Sequence, residues 1–106
     1  MYKHIVLWKI RDDIEADAKP EQISKARAML NELPAQIDGI ECYEVGVNTA
    51  DYAASFFDFS LYSVFRSREA FEKYCQHPEH DKVVAYITGI VDEERIVDYD
   101  DEECAA

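Results

Sequence analysis

The chain has 106 residues, of which 48% are hydrophobic and 12% aromatic, and its formal net charge is −12. This length and composition predict one folded domain with its own hydrophobic core and exclude a disordered chain. The negative charge argues against binding to nucleic acids or to anionic membrane surfaces, because like charges repel.

The compartment is predicted from the apolar stretches and the cysteines. The longest apolar stretch, residues 83–91, is too short to span a bilayer, and the N-terminal residues show no secretion signal. Cys42, Cys75 and Cys104 have no C-x-x-C spacing and predict reduced thiols, with Cys42 and Cys75 as small core residues and Cys104 in the tail. We therefore expect a cytoplasmic protein.

The first two predicted elements are a strand and a helix. Residues 4–10 contain β-branched and aromatic residues and no breaker, which is typical of a strand. Alternation places four residues on one face of this strand: His4, Val6, Trp8 and Ile10. An acidic loop then leads to Pro20, and apolar residues recur at helical spacing as far as residue 37. Pro34 is expected to bend or end the helix near Leu33.

Two further strands follow a turn. Asp38 and Gly39 predict the turn, residues 40–48 the second strand, and residues 56–65 the third and most apolar strand. Both faces of the first and third strands are largely apolar. We therefore expect the sheet to be covered on both sides.

A helix–helix corner is predicted next. Ser67 is placed to cap a helix that begins at Arg68. That helix should end near residue 76, because Pro78 lacks a backbone N–H group and keeps His77 out of the helical region.

The last elements are a third helix and a fourth strand. The third helix is predicted from about Glu79, with Gly89 at its end. Residues 95–99 predict a fourth strand, and residues 101–106 are expected to be an acidic, solvated C-terminal tail.

The order of these elements predicts an α+β fold of the ferredoxin-like, split βαβ type. Residues 1–100 then form a single domain, a four-stranded antiparallel sheet with helices on one face. The helix-free face must be buried by something else. A second copy of the chain, related by a two-fold axis, is the simplest cover and predicts a homodimer.

A resemblance to a known family points the same way. The pattern Tyr74-x-x-His77-Pro78-x-His80 and the start His4-Ile-Val-Leu-Trp-Lys9 lie at family-like positions, and the chain resembles the stress-responsive dimeric α/β-barrel (Dabb) family over residues 1–100. The resemblance implies that two sheets pack face to face into a dimeric α/β barrel. Members of the family include proteins of unknown function, a plant stress protein that forms rings, and a plant polyketide cyclase.

His80 and Tyr74 are the candidate catalytic residues. Each lies on the apolar stripe of its predicted helix, and a histidine changes charge near neutral pH. The tyrosine hydroxyl could orient the imidazole or donate to a developing oxyanion. In the plant cyclase that the chain resembles, the residues matching these two line the pocket, and the histidine is the base. A structural role, with His80 bracing the corner, remains the alternative.

His4, Trp8 and Phe59 are the candidate substrate-binding residues. His4 shares a strand face with Trp8 and could approach the two catalytic candidates, although a single backbone hydrogen bond is the simpler role. The resemblance to the cyclase ends at two pocket positions, where this chain has Ala26 in place of a tyrosine and Phe59 in place of a histidine. A polyketide substrate is therefore not carried over.

No metal or other cofactor is predicted. His77 and His80, with the acidic residues beside them, lack a third ligand at regular spacing, and no pattern indicates an axial haem ligand. The role of His77 is left open. Two functions remain: a homodimeric protein that binds a small organic ligand, and an enzyme of the lyase or cyclase type that moves a proton next to a carbonyl.

Overall fold

A computed structural model of the protein describes residues 1–101. Its elements, in chain order, are β1 (Tyr2–Ile10), α1 (Lys19–Gln36), β2 (Ile40–Val47), β3 (Phe59–Phe65), α2 (Arg68–Gln76), α3 (Pro78–Thr88) and β4 (Val91–Asp100). The four strands form one antiparallel sheet in the order β2-β3-β1-β4. The predicted α+β, ferredoxin-like arrangement is confirmed.

The register of the sheet decides which side chains share a face. In β1, His4, Val6 and Trp8 lie opposite three residues of β3 and three of β4. The β3 partners are Ser63, Leu61 and Phe59, and the β4 partners are Asp98, Ile96 and Glu94. Directly paired residues point to the same side of a sheet. Residues from three strands therefore converge under the helices.

The hydrophobic core lies between this face and the helices. Every second residue of β1, from Tyr2 to Ile10, is buried. The α1 helix contributes Ile23, Ala26, Leu30 and Leu33 to the same core. On the opposite face Leu7 is 37% exposed, so the described residues leave that face without a helix.

The prediction that Pro34 would bend or end α1 near Leu33 is wrong as regards its end. The helix continues to Gln36, and the N–H of Ile37 still donates to the carbonyl of Leu33 over 2.9 Å. Leu33 and Ile37 are both buried, so packing against the sheet stabilises the last turn despite the missing proline donor.

Two predicted strand boundaries are also corrected. The third strand begins at Phe59 and not at residue 56, because Asp58 is bonded to the end of β1. The Asp58 carboxylate accepts from the N–H of Ile10 over 2.7 Å, and the Asp58 N–H donates to the carbonyl of Trp8 over 2.8 Å. The fourth strand begins four residues before the predicted range of residues 95–99, at Val91, and ends one residue after it, at Asp100, since β1 offers pairing partners along its whole length.

The prediction that Cys42 and Cys75 are core residues is wrong. Both are exposed, and among the described residues neither is part of a disulfide. Cys42 lies on the edge strand β2, and Cys75 lies on α2 at a pocket described below, so neither side chain enters the core. Cys104 and most of the predicted acidic tail lie outside the described residues. Asp101 is bonded to the residue before β1, its N–H donating to the carbonyl of Met1 over 2.8 Å.

The predicted corner between α2 and α3 forms. The hydroxyl oxygen of Ser67 accepts from the N–H of Ala70 over 3.1 Å at the start of α2. His77 is extended and caps α3, its Nδ1 accepting from the N–H of Glu79 over 3.1 Å. The third helix begins at Pro78, whose missing N–H costs nothing in a first turn.

The turn at Gly39 places this corner against the sheet. Gly39 has a φ of +93°, a conformation that side chains disfavour, and a Cβ atom there would lie 2.7 Å from that of Ala70.

Within residues 1–101, none of the helices combines the length and apolarity needed to cross a membrane.

Candidate functional site

A pocket of about 350 Å³ lies between the sheet and helices α2 and α3. Its apolar wall includes Val6, Trp8 and Leu61 from the sheet and Val83 and Ile87 from α3. The pocket is also lined by three of the polar side chains predicted to form a site, His4 from β1, Tyr74 from α2 and His80 from α3. The pocket therefore combines a mostly apolar lining with a few polar groups, the usual composition of a small-molecule site.

His80 and Tyr74 are brought together in this pocket by the α2–α3 corner. Their ring centroids are 4.3 Å apart, with 45° between the ring planes. The Nδ1 atom of His80 is buried and has no hydrogen-bond partner among the described residues. Buried polar atoms are normally paired, so this nitrogen is an exception that calls for a ligand, a water molecule or a structural cost.

The surroundings of His80 favour its neutral form. Burial lowers the pKa of the imidazole below its usual value, because removal from water penalises the charged ring. The backbone of Cys75 and the carboxylate of Asp81 raise the pKa, but they do not reverse the shift. A neutral imidazole at pH 7 can accept a proton or a hydrogen bond.

Tyr74 is held by a partner that the sequence analysis missed. Its hydroxyl lies 2.8 Å from the hydroxyl of Tyr43, and only 1% of Tyr74 is exposed. Burial raises the pKa of both phenols, that of Tyr43 to about 12. Tyr74 therefore stays protonated at neutral pH and can act as a donor but not as a base. Alternation along β2 marked Tyr43 as facing the same side as Val45, but nothing in the sequence paired it with α2.

The ring of His4 contacts a carboxylate side chain instead of making a lone backbone bond. Its Nδ1 atom contacts the Asp98 carboxylate, and its ring packs 4.9 Å from Phe71 and 6.4 Å from Tyr74, measured between centroids. The register that opposes His4 to Asp98 depends on the pairing of the first and last strands, which local sequence does not encode.

Trp8 and Phe59 take different positions. Their rings are stacked with centroids 4.8 Å apart and 29° between the planes. Trp8 lines the pocket, whereas Phe59 lies behind it in the core and is not among the lining residues. Phe59 supports the pocket through the indole ring.

His77 lies outside the pocket, where it caps α3. In the part of the chain that the structure describes, no group of three or more histidine, cysteine, aspartate or glutamate side chains could hold a metal ion. Two other cavities, of about 390 and 480 Å³, surround Asn48 and Phe56 at the far side of the domain. Neither contains a histidine, so the chemistry is concentrated in the pocket with His80.

Comparison with known proteins finds two that are similar to this chain in sequence and one solved structure that is similar in fold. A dimeric protein of unknown function and ferredoxin-like fold from Bacteroides fragilis is 32% identical, with a TM-score of 0.82 over 92% of this chain and 93% of its own. An uncharacterized protein of Streptomyces coelicolor is 29% identical over 80% of this chain and 84% of its own length. A hydroxynitrile lyase from Passiflora edulis has a TM-score of 0.80 over 99% and 96% of the two chains, but at 16% identity it shows the fold alone.

The family itself is shown by a match that covers nearly the whole domain. Residues 2–101 match the family described as Stress responsive A/B Barrel Domain, which agrees with the four-stranded sheet and the helix corner. The chain therefore belongs to the stress responsive A/B barrel (Dabb) domain family.

Proposed function

We propose that the pocket binds a small organic ligand whose polar group hydrogen-bonds to His80. The observation that carries this proposal is the buried Nδ1 of His80, which has no hydrogen-bond partner within residues 1–101 and lies beside a mostly apolar cavity. At about 350 Å³ the cavity lies at the lower end of the range of ligand pockets, roughly 300–1,000 Å³. A ligand that packs an apolar ring against Trp8 and hydrogen-bonds to one imidazole nitrogen gains both hydrophobic and polar contacts.

A screen of neutral fragments tests this function directly. Trp8 is the single tryptophan of the chain and lines the pocket, so its fluorescence and its indole NMR signal report occupancy. We expect some fragments to perturb Trp8, and His80→Gln to weaken their binding about tenfold, the equivalent of one buried hydrogen bond.

A matched control is available on the same corner. His77→Asn removes a second imidazole but retains a side chain that can cap α3, and His77 does not line the pocket. This variant should bind fragments as the wild type does. If no fragment perturbs Trp8, or if the two variants weaken binding equally, the pocket is not a ligand site organised by His80.

A second candidate function is proton transfer next to a carbonyl. The neutral His80 would take the proton from carbon, and the Tyr74 hydroxyl would donate to the enolate oxygen. If Tyr43 donates to Tyr74, the Tyr74 proton is free for the substrate, and the raised pKa values of both phenols keep them protonated. What favours this candidate is the short distance between the two rings, 4.3 Å between centroids.

Hydrogen–deuterium exchange separates this enzyme from a binding protein. A neutral aromatic ketone such as acetophenone is incubated with the protein in D₂O, and loss of the protons beside its carbonyl is followed by NMR. Catalysis predicts exchange that His80→Gln abolishes and Tyr74→Phe slows. A ketone that binds at Trp8 but exchanges no faster than in buffer leaves the binding function alone.

The proposed assembly is a homodimer through the helix-free face of the sheet. Apolar side chains remain exposed there, with Leu7 at 37%, Val97 at 53% and Tyr99 at 40%. Leaving such a patch in water is costly, and a copy of the same face related by a two-fold axis would cover it. The relative from Bacteroides fragilis is described as dimeric, which supports the same arrangement.

Two neighbouring residues of β4 provide the test of this interface. Val97 and Ile96 are about equally exposed, at 53% and 51%, but they point to opposite faces, and Ile96 lines the pocket. Analytical ultracentrifugation should give a dimer of 12.3 kDa chains for the wild type and for Ile96→Asp, and a monomer or unfolded chain for Val97→Asp. A folded wild-type monomer at micromolar concentration would refute the proposal.

The cytoplasm is the compartment that we propose for this protein. Cys42 and Cys75 are both exposed, and neither forms a disulfide within residues 1–101. Exposed free thiols persist where glutathione and thioredoxin keep them reduced. Localisation of the tagged chain by microscopy or fractionation decides the point.

A further inference from the structure

We propose that the pocket prefers a ligand carrying a protonated amine on an aromatic or alicyclic ring, and that it rejects organic anions. This inference rests on the proposed function, because it names the class of ligand that the same pocket would take. It is carried by the charges that line the pocket and by the position of one carboxylate beside Trp8.

The pocket lining contains acidic side chains but no lysine or arginine. Glu94 and Asp98 reach it from β4, and the remaining lining residues with titratable nitrogen are His4 and His80. Burial favours the neutral form of His80, and His4 contacts Asp98. Whether or not His4 is protonated, at least one negative charge, that of Glu94, is left at the pocket.

Glu94 has no cation of its own within residues 1–101. The neighbouring Arg95 donates to the backbone carbonyl of Glu94 over 3.0 Å, and its guanidinium lies 3.6 Å from the carboxylate of Glu93 on the helix-free face. Alternation along β4 keeps the Glu94 side chain on the pocket side. A ligand cation would therefore meet a carboxylate that no described side chain neutralises.

The aromatic wall adds a second attraction for a cation. Glu94 is paired directly with Trp8 across the β1–β4 ladder, so the two side chains start about 5 Å apart. An ammonium group held by the carboxylate would lie near the indole ring, where the electrons of the ring attract cations. The hydrocarbon ring of the same ligand would pack against the apolar wall.

An organic anion meets the opposite conditions. A carboxylate in this pocket would find no lysine or arginine, would face Glu94, and would approach a chain of net charge −12. A neutral imidazole can donate one hydrogen bond to it, but that bond does not offset the repulsion in a largely apolar cavity. The charge of the ligand, more than its shape, should therefore control affinity.

Three probes of similar size test the inference: benzylamine, benzyl alcohol and benzoate, which are respectively cationic, neutral and anionic at pH 7. Binding is measured by titration of Trp8 fluorescence and confirmed by the indole NMR signal. We expect benzylamine to bind about threefold to thirtyfold more tightly than benzyl alcohol, from one exposed ion pair and one cation–π contact, and benzoate to bind least. Added salt should reduce the advantage of the amine.

Glu94→Gln and Glu93→Gln form a matched pair of variants. Both remove one negative charge from β4, but only Glu94 faces the pocket. Glu94→Gln should remove the preference for benzylamine and leave the affinity for benzyl alcohol unchanged, whereas Glu93→Gln should retain the wild-type order.

Each other outcome overturns the inference and can be told apart from failure of the proposed function. If benzyl alcohol binds as tightly as benzylamine, or if both variants behave alike, the charge preference is wrong and ligand binding stands. If benzoate binds most tightly, the preference is reversed. If none of the three probes perturbs Trp8 at millimolar concentration, the inference fails, and the fragment screen with His80→Gln decides separately whether the pocket binds anything.

Discussion

The hydrogen bond between Tyr43 and Tyr74 gives a prediction whose size follows from the burial of its two ends. The hydroxyl oxygens are 2.8 Å apart, and Tyr74 is only 1% exposed, whereas Tyr43 is half-buried. Removing one partner of a buried hydrogen bond leaves the other without compensation, and the penalty depends on whether water can reach it.

The two single substitutions should therefore differ. Tyr43→Phe leaves the Tyr74 hydroxyl buried and unpaired, which should lower the free energy of unfolding by about 1–3 kcal/mol. Tyr74→Phe leaves the hydroxyl of the half-buried Tyr43 unpaired, which should cost less, about 0.5–1.5 kcal/mol, because Tyr43 is less completely removed from water than Tyr74. In the double variant neither hydroxyl remains, so it should be more stable than the sum of the single losses predicts, with a coupling of about 1 kcal/mol.

Urea unfolding at one fixed protein concentration measures these differences, because the stability of the proposed dimer would depend on concentration. Thermal melts give a check, at roughly 4–8 °C per kcal/mol for a domain of about this size. Two results would refute the buried hydrogen bond as the reason that Tyr74 is fixed in the pocket. One is that Tyr43→Phe is no more destabilising than Tyr74→Phe. The other is that the double variant loses the sum of the two single stability losses.

Three further predictions concern the same corner. Phe71→Ala should lower the free energy of unfolding by about 2–3 kcal/mol, which is less than the loss for a fully buried ring. The reason is that Phe71 is half-buried among aromatic rings, including Phe65, whose ring centroid is 5.2 Å away. A loss below about 1 kcal/mol in urea unfolding would contradict this contact. Ser67→Ala should cost about 0.5–2 kcal/mol in the same assay and Ser67→Asp much less, since aspartate also caps a helix; equal losses would show that the cap is unimportant. Folding lowers the pKa of His80, so just below the ordinary histidine pKa of 6.5 the unfolded chain binds more protons than the folded chain. Wild-type stability should therefore fall as the pH drops below about 6.5, and it should fall less in His80→Gln. Parallel pH profiles would contradict the lowered pKa, which NMR titration of the imidazole measures independently.

Local sequence was enough to predict most of the fold. Periodicity of apolar residues predicted each strand and helix, and capping chemistry predicted the α2–α3 corner, because Ser67 and Pro78 act on backbone groups only a few residues away. The alternation along β1 also predicted that His4 and Trp8 share a face, and the structure shows that this face meets the helices. These features depend on interactions between residues that are close in the sequence.

Boundaries and burial were less predictable, because they depend on packing between distant elements. Pro34 is tolerated within α1 since the buried Leu33 and Ile37 stabilise its last turn, and β4 extends because β1 pairs with it along its length. Cys75 was predicted to lie in the core, yet it is exposed and lines the pocket.

The sequence by itself therefore determined the elements, the corner and the identity of His80 and Tyr74 as candidates. The tertiary structure alone decided what surrounds them. Asp98 meets His4 across 94 residues of chain, and Tyr43 meets Tyr74 across 31, through strand register and helix docking. Such contacts arise from the packing of whole elements, whose relative positions a local pattern of residues does not specify.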